Sequence, residues 1–410
     1  MRDMNDSGIA WIGIIPNEWS TIRFKYLHYG MNTGEAIDKE YWSADECDTV
    51  FYTAGLEPIR TSFKDFPKWK YTKSSDLLLA RNGTPYVYSP IPDACYTDHI
   101  IRARMKPGIN KGFVRYSLQR SIDSVVVDAV SLATWSASLW NEQYIAWPPL
   151  EEQAQIVTFL DSKIARIDAV IEQTRASIEE YKKLKQSVIT QAVTKGIRPN
   201  RPMKDSGVEW IDCIPVEWTM ERGKGLFIGV DNRSEDGSEE LLTVSQYTGI
   251  TPRSQKNVTM FEAETLEGYK ICEIGDIAAN TMWLWAGAIG VSRFKGVISP
   301  SYNIYRQKSG SYAPAYLDYL LRTTPLVQHY ESLSTGIRAS RLRLYPQQFL
   351  SIRFPVPPLD EQKEIVCYLK EKVDIIDLLI RKKELFLSEI ELYKNSMIYE
   401  YVTGKKEVFA

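Results

Sequence analysis

The chain has 410 residues, 44% hydrophobic and 25% charged, with 50 Lys and Arg against 52 Asp and Glu and a net charge of −2. That length leaves room for roughly two or three domains with sizeable cores, and the near-neutral balance argues against a general polyanion binder. The longest apolar run, Met282–Val291, has ten residues and is too short to span a bilayer, so no membrane partner is expected. The N-terminus, M-R-D-M-N-D-S-G, has no apolar signal core. The five cysteines are scattered, no C-x-x-C occurs, and His28, His99 and His329 lie far apart. No sequence-local zinc site is expected, and a reducing cytoplasm fits best.

The first element is repeated. Met4–Trp19 (M-N-D-S-G-I-A-W-I-G-I-I-P-N-E-W) recurs as Met203–Trp218 (M-K-D-S-G-V-E-W-I-D-C-I-P-V-E-W), with ten of sixteen positions identical at an offset of 199. Self-similarity at a fixed offset is the strongest organisational signal a sequence offers.

Residues 20–148 follow, rich in Tyr, Trp, Thr and Gly. Seven carboxylates against one lysine fill Glu35–Glu57, and twelve basic against four acidic residues fill Arg60–Arg120. Segregation of this kind can make a positive patch on a neutral protein, although folding can also scatter such charges over an ordinary surface. Thr49–Thr53 and Asp76–Ala80, bounded by turn residues, predict strands, and Phe113–Arg120 predicts a short helix.

Pro148–Val157 (P-P-L-E-E-Q-A-Q-I-V) then opens a long helical pattern. Ile156, Leu160, Ile164, Ile167, Ile171, Thr174, Ile178, Tyr181, Leu184 and Val188 recur at steps of three and four. Glu151 and Glu152 suit the helix N-terminus, and Gly196 with Pro199 ends it. At 1.5 Å per residue such a helix spans about 65 Å.

The second half repeats the plan. Residues 219–356 contain predicted strands at Leu241–Ser245 and Gly275–Ala279, a short helix at Ala315–Arg322, and nine basic against two acidic residues over Arg293–Arg353. Pro357–Val366 (P-P-L-D-E-Q-K-E-I-V) matches the earlier block at seven of ten positions, offset by 209. Its helix carries Ile365, Leu369, Val373, Ile376, Ile380, Lys383, Leu387, Ile390, Tyr393 and Met397 in the same register. Helices this long need a partner for the apolar stripe. Matching registers make the two natural partners in a coiled coil. The pairing set is Ile156, Leu160, Ile164, Ile167, Ile171 and Ile178 with Leu369, Val373, Ile376, Ile380, Leu387 and Ile390. The expected fold is α+β: two globular, mostly-β domains at residues 1–149 and 199–357, with long spacer helices at 150–198 and 358–405.

Shared ends around divergent middles suggest one scaffold presenting two different reading surfaces. No phosphate loop, dinucleotide fingerprint, metalloprotease or nucleophile-elbow motif occurs, nor an Asn-Pro-Pro-aromatic tetrapeptide of the amino-methyltransferase type. Paired carboxylates such as Glu179 and Glu180 read as solvated helix faces. DNA reading needs Lys and Arg for phosphates, and Arg, Asn, Gln, Ser or Thr at an exposed edge for bases. In the first variable segment the candidates are Arg60, Ser62, Lys64, Lys68, Lys70 and Tyr71, where basic and aromatic groups interleave. Arg81, Asn82 and Thr84 follow a predicted strand. In the second the candidates are Arg253, Asn280, Trp283, Trp285, Arg293, Arg338, Ser340, Arg341 and Arg343. Taken singly, each reads equally as an ordinary surface charge or core aromatic.

From about residue 4 to 405 the chain resembles the specificity (S) subunit of Type I restriction–modification systems. The resemblance rests on the doubled P-P-L-x-E-Q-x-x-I-V and D-S-G-x-x-W-I-x-x-I-P-x-x-W patterns, and on the Leu77–Gly83 and Gly275–Tyr302 segments. It implies two target-recognition domains separated by paired, antiparallel helices, each domain reading one half of a split DNA target. It also implies double-stranded DNA, two methyltransferase (M) subunits and restriction/translocase (R) subunits as partners. S-adenosylmethionine and ATP/Mg would sit on those partners, with no cofactor or metal on this chain and no catalysis by it. The two repeats depart from each other where Ala10 stands opposite Glu209 and Gly13 opposite Asp212. Different halves imply an asymmetric target. If the helices set the spacing between half-sites, lengthening both by one heptad changes that spacing and leaves the half-site sequences intact; methylation mapping that finds the spacing unchanged refutes the ruler. The rival readings are a binding module for a protein or carbohydrate, an enzyme with an unrecognised site, and a DNA reader serving a fused restriction enzyme.

Overall fold

The computed structural model describes residues 2–55, 57–82, 86–126, 134–255, 265–336 and 342–408. The chain divides into two compact units, Met1–Thr174 with Leu385–Ala410, and Arg175–Glu384.

In the first unit the main sheet has the strand order His28–Thr33, Ile100–Met105, Asp76–Ala80, Val87–Tyr88, with every neighbour antiparallel. Leu77–Ala80, within the strand Asp76–Ala80, is a continuous apolar run because both faces are covered. Its period of two divides the side chains between two cores. Leu77 and Leu79 join Val114, Leu118 and Ile122 from the helix Lys111–Val126. Leu78 and Ala80 join Phe51, Cys95 and Tyr96. These last belong to a second four-stranded sheet, Cys95–Tyr96, Thr49–Tyr52, Ile59–Thr61, Trp42–Ser43, whose first pair is parallel.

The second unit repeats the main sheet as Phe227–Val230, Asn303–Gln307, Ile277–Ala279, Ile289–Val291, again all antiparallel. The division of side chains recurs. Ile277 and Ala279 face Leu317 and Leu320 of the helix Pro314–Leu321, and Ala278 faces Leu242, Val244 and Ile298. The expected strands and short helices are present in both halves, and the fold is α+β with an internal repeat.

Two long helices, Leu150–Lys195 and Leu359–Val402, contribute to both units. In the first unit Ile156, Leu160 and Ile164, near the start of one helix, share a core with Met397, Ile398 and Val402 at the end of the other. Asp168 accepts a hydrogen bond from Lys394 Nζ at 2.5 Å. In the second unit Ile189, Ala192 and Val193 share a core with Ile365, Leu369 and Val373, and Lys185 Nζ donates to Asp377 at 2.7 Å. Start meets end in each unit, so the helices pair antiparallel. Of the remaining seam residues, Ile171, Ile178, Ile376 and Ile380 are buried. Ile167, Leu387 and Ile390 are half-buried.

The duplicated sequence blocks meet one another inside each unit. In the first, Trp19 Nε1 donates to Glu152 Oε2 at 2.9 Å, and Arg2 pairs with the other oxygen of Glu152. In the second, Trp218 Nε1 donates to Glu361 Oε2 at 3.0 Å, and Arg201 pairs with Glu361 Oε1. Gln153 and Gln362 each donate back to the proline carbonyl five residues earlier, both at 2.9 Å. The final Trp of one motif and the Glu-Gln of the other are therefore framework, which explains why both are repeated together.

Two histidines give the framework a pH dependence. His28 Nε2 donates to Asn141 Oδ1 at 2.9 Å, and His329 lies against the Trp210 ring. Burial lowers the pKa of both. The unfolded chain takes up these protons near the ordinary histidine value of about 6.5. Stability present above that value is therefore lost as pH falls from there through the lowered folded values. The melting temperature will drop between pH 7 and pH 5, and less so in a His28→Gln, His329→Gln variant. An identical drop in the two proteins refutes the assignment.

Candidate nucleic-acid interface

Each main sheet is locked at one end and open at the other. The locked end begins with a buried aspartate. Asp76 accepts from Arg104 Nε at 3.2 Å and from the Lys73 amide at 2.9 Å. Asp276 accepts from Arg306 Nε and Nη2, both at 2.7 Å, and from the Glu273 amide at 3.0 Å.

At the open end an amide side chain ties the loop that leaves the central strand to the turn that enters its neighbour. In the first unit Asn82 Nδ2 donates to His99 Nδ1 at 2.7 Å, and Arg81 beside it is exposed. In the second, Asn280 Nδ2 donates to the Tyr302 hydroxyl at 3.0 Å, and Thr281 donates to the Ser301 carbonyl at 2.8 Å. Beyond Asn280 the loop exposes Met282 (43%) and Trp283 (49%). The Trp283 and Trp285 rings stack at 5.7 Å. Exposed apolar side chains grouped on one loop mark an interaction site more often than a core.

A second feature of the first unit is the turn Lys68–Lys70. Buried Arg102 donates to the carbonyls of Trp69, Lys70 and Tyr71 at 3.1, 2.7 and 3.2 Å. This holds Trp69 outward, 63% exposed, next to exposed Lys68.

The other predicted positions divide plainly. Lys70 is paired with Glu35, so its charge is already matched. Tyr71 packs on Phe66 at 5.1 Å. Arg60 donates to the Asp48 carbonyl at 2.7 Å, and Ser62 to the Tyr41 carbonyl at 3.3 Å. Lys64 is exposed, 3.6 Å from Asp48. The Arg253 amide donates to the Leu241 carbonyl at 2.8 Å. Arg293 and Arg343 are exposed. Asn280 is buried, with both polar ends of its amide in use. Thr84, Arg338, Ser340 and Arg341 lie outside the described residues. Sequence reasoning missed His99, Arg102, Tyr302 and Tyr247. Only Tyr247 carried a local signal, a hairpin turn closed by Gly249 at a φ of 66°.

The described residues contain no group of three or more His, Cys, Asp and Glu placed to hold a metal. None of their helices is long and apolar enough to cross a membrane. Burial pushes the Cys95 thiol up to about 11 and the Cys272 thiol up to about 12, so neither is a thiolate nucleophile at neutral pH.

No family model matches the chain. Two curated proteins of Methanocaldococcus jannaschii do. One, provisionally named the type I restriction enzyme MjaX specificity subunit, is 24% identical over 315 residues, 73% of this chain. The other, the type I restriction enzyme MjaVIII specificity subunit, is 26% identical over 279 residues, 64% of this chain. The matches span 65% and 62% of those relatives' own lengths. Among solved structures, a chain from work on complex assembly and conformational transition of the type I R-M system superposes with a TM-score of 0.66. It covers 96% of this chain and 99% of that one at 15% identity, a likeness of fold. The chain is thus similar in sequence to two proteins named as type I restriction enzyme specificity subunits, and similar in fold to a chain of a type I R-M system.

Proposed function

We propose that the chain is the DNA sequence-specificity subunit of a Type I restriction–modification complex. One observation carries the reading. The same sheet is built twice, locked by Asp76 or Asp276 at one end, while its open end carries different chemistry in each half. A fixed frame with interchangeable loops suits two half-sites of different sequence. Arg81, Asn82 and His99 offer charge and hydrogen bonds in one half. Trp283 and Met282 offer apolar surface in the other. Lys68 and Trp69 pair a cation with an aromatic face, which suits a phosphate beside a base.

In this reading the target is split, asymmetric double-stranded DNA, and the chain itself is not catalytic. Two methyltransferase subunits and restriction/translocase subunits supply the chemistry, with S-adenosylmethionine and ATP/Mg on them, in the cytoplasm. The second long helix offers protein partners an uncovered stretch within the first unit, where Leu385, Phe386, Leu392 and Tyr393 are 61%, 43%, 67% and 60% exposed.

The test is co-expression with the adjacent methyltransferase gene, followed by modification-sensitive sequencing of the host DNA. Methyladenine should appear in one split motif. Replacing Ser7–Pro148 with another recognition domain should change one half of that motif and leave the other. An assembled, S-adenosylmethionine-binding complex that methylates no motif defeats the proposal and favours a plain protein- or carbohydrate-binding module.

A further inference from the structure

A recess of about 290 Å³ opens beside the open end of the second unit's sheet. One wall is the turn between strands Leu242–Ser245 and Gly249–Pro252, where Tyr247 is 81% exposed. The other is the loop after Ile277–Ala279, where Trp283 is 49% exposed. Asn280, only 5% exposed, also lines the recess. Its position is fixed by the Tyr302 hydroxyl, at 3.0 Å, and by the Met282 amide, which donates to Oδ1 at 3.1 Å. These two bonds leave one N–H and one lone pair of the Asn280 amide in reserve. Ser245 and Gln246 complete the polar lining, and no carboxylate is among the lining residues. Arg322 braces the Tyr247 turn, its Nη2 donating to the Gln246 and Tyr247 carbonyls at 3.2 and 2.6 Å.

The construction is that of a pocket for a flat, polar-edged ring. Two aromatic side chains and two side-chain amides share its lining, and a guanidinium braces the Tyr247 turn. Aromatic faces stack on any base, and Asn and Gln amides match the donor and acceptor edges of bases. A core would not leave Tyr247 and Trp283 this uncovered on adjacent loops.

We propose that this recess takes one base of the half-site read by the second unit, turned out of its stack and held between Tyr247 and Trp283. The inference rests on the DNA-reading function proposed above. It differs from the extrusion of a methylation target, which belongs to the methyltransferase chemistry, because it concerns a base that is read rather than modified.

Extruding a base costs least when that base is already mispaired, so a mismatch at the extruded position tightens binding while mismatches elsewhere weaken it. The experiment uses the full chain assembled with its methyltransferase subunits. The probes are duplexes of the mapped target, each with one mismatch. Besides the methylated adenine, one position in the second unit's half-site should bind about tenfold more tightly when mismatched. That gain should vanish in a Tyr247→Ala, Trp283→Ala variant and persist in Trp283→Phe, whose ring still stacks. The gain at the methylated adenine should survive in all three. Tightening at no other position, or tightening that survives the double alanine change, overturns the proposal while leaving specific binding in place. A wild-type complex that discriminates no sequence at all removes the proposed function and this inference together.

Discussion

Glu361→Ala should destabilise the second unit by about 3–5 kcal/mol, the cost of leaving a buried charge without its partner. The Arg201 side chain is 9% exposed and that of Glu361 3%. The hydrogen bond to Glu361 is the main cause raising the arginine's pKa; without it the guanidinium still keeps its charge, because arginine is not deprotonated in proteins. Glu217, its remaining partner at 2.9 Å, is 58% exposed and a weak substitute. Trp218 also loses its acceptor. The equivalent change in the first unit, Glu152→Ala, should cost clearly less. There the Arg2 side chain is 31% exposed and can take up water, and it keeps Glu407 at 3.1 Å. Hydrogen exchange across urea unfolding of the full chain separates the effects by segment, with 175–384 losing protection in one variant and 1–174 in the other. Removing Arg201 as well should restore part of the loss. Equal costs in the two units, or no recovery in the double variant, would show that burial is not what sets the strength of this contact.

The second large effect is expected at the locked end of the first sheet. Asp76→Asn keeps the shape of the side chain and removes its charge. Asp76 is fully buried, the Arg102 side chain is 4% exposed at 3.8 Å, and Arg104 lies at 3.2 Å. An uncompensated Arg102 should cost about 3–5 kcal/mol and loosen the Trp69–Tyr71 carbonyls it grips. Asp276→Asn is the control. Its partner Arg306 is 42% exposed and rehydrates on release, so a loss of about 1–2 kcal/mol is expected, close to that of an ordinary charged hydrogen bond. Urea midpoints of the two variants decide the matter, and a larger loss at Asp276 would overturn the argument.

Local pattern reached a good part of this molecule. Steps of three and four along Ile156–Ile178 and Leu369–Ile380 identify long helices, because a helix repeats its faces within one heptad. Asp76–Ala80 is legible as a strand because it is a short, mostly apolar run bounded by turn residues. What local pattern could not give are contacts between residues far apart in the chain. Lys70 looked like a free phosphate ligand in K-W-K-Y until folding brought Glu35 against it. Arg102 looked like one more basic residue in a basic segment, yet it is buried and organises a turn more than thirty positions away. Asn280, which the sequence suggests as an exposed base reader, proves 5% exposed, with its amide already bonded to the Tyr302 hydroxyl and the Met282 amide. Exposure and partner are properties of the fold, so counting charges along the chain cannot say which basic residues stand free at the surface.

The first unit is discontinuous: Ile12, Ile15 and Trp19 share their core with Met397, Ile398 and Val402. Between these segments lies the whole of the second unit, Arg175–Glu384, which is one uninterrupted stretch. On a ribosome working at about 5–20 residues per second, the stretch separating the two takes on the order of tens of seconds to make. The usual vectorial order is thereby inverted. The segment Met1–Thr174 waits, with the core of Ile156, Leu160 and Ile164 still lacking Met397, Ile398 and Val402, for residues made after the second unit, while the second unit can close on its own. The hazard of aggregation or premature capture therefore falls on the nascent N-terminal half, during synthesis rather than after it.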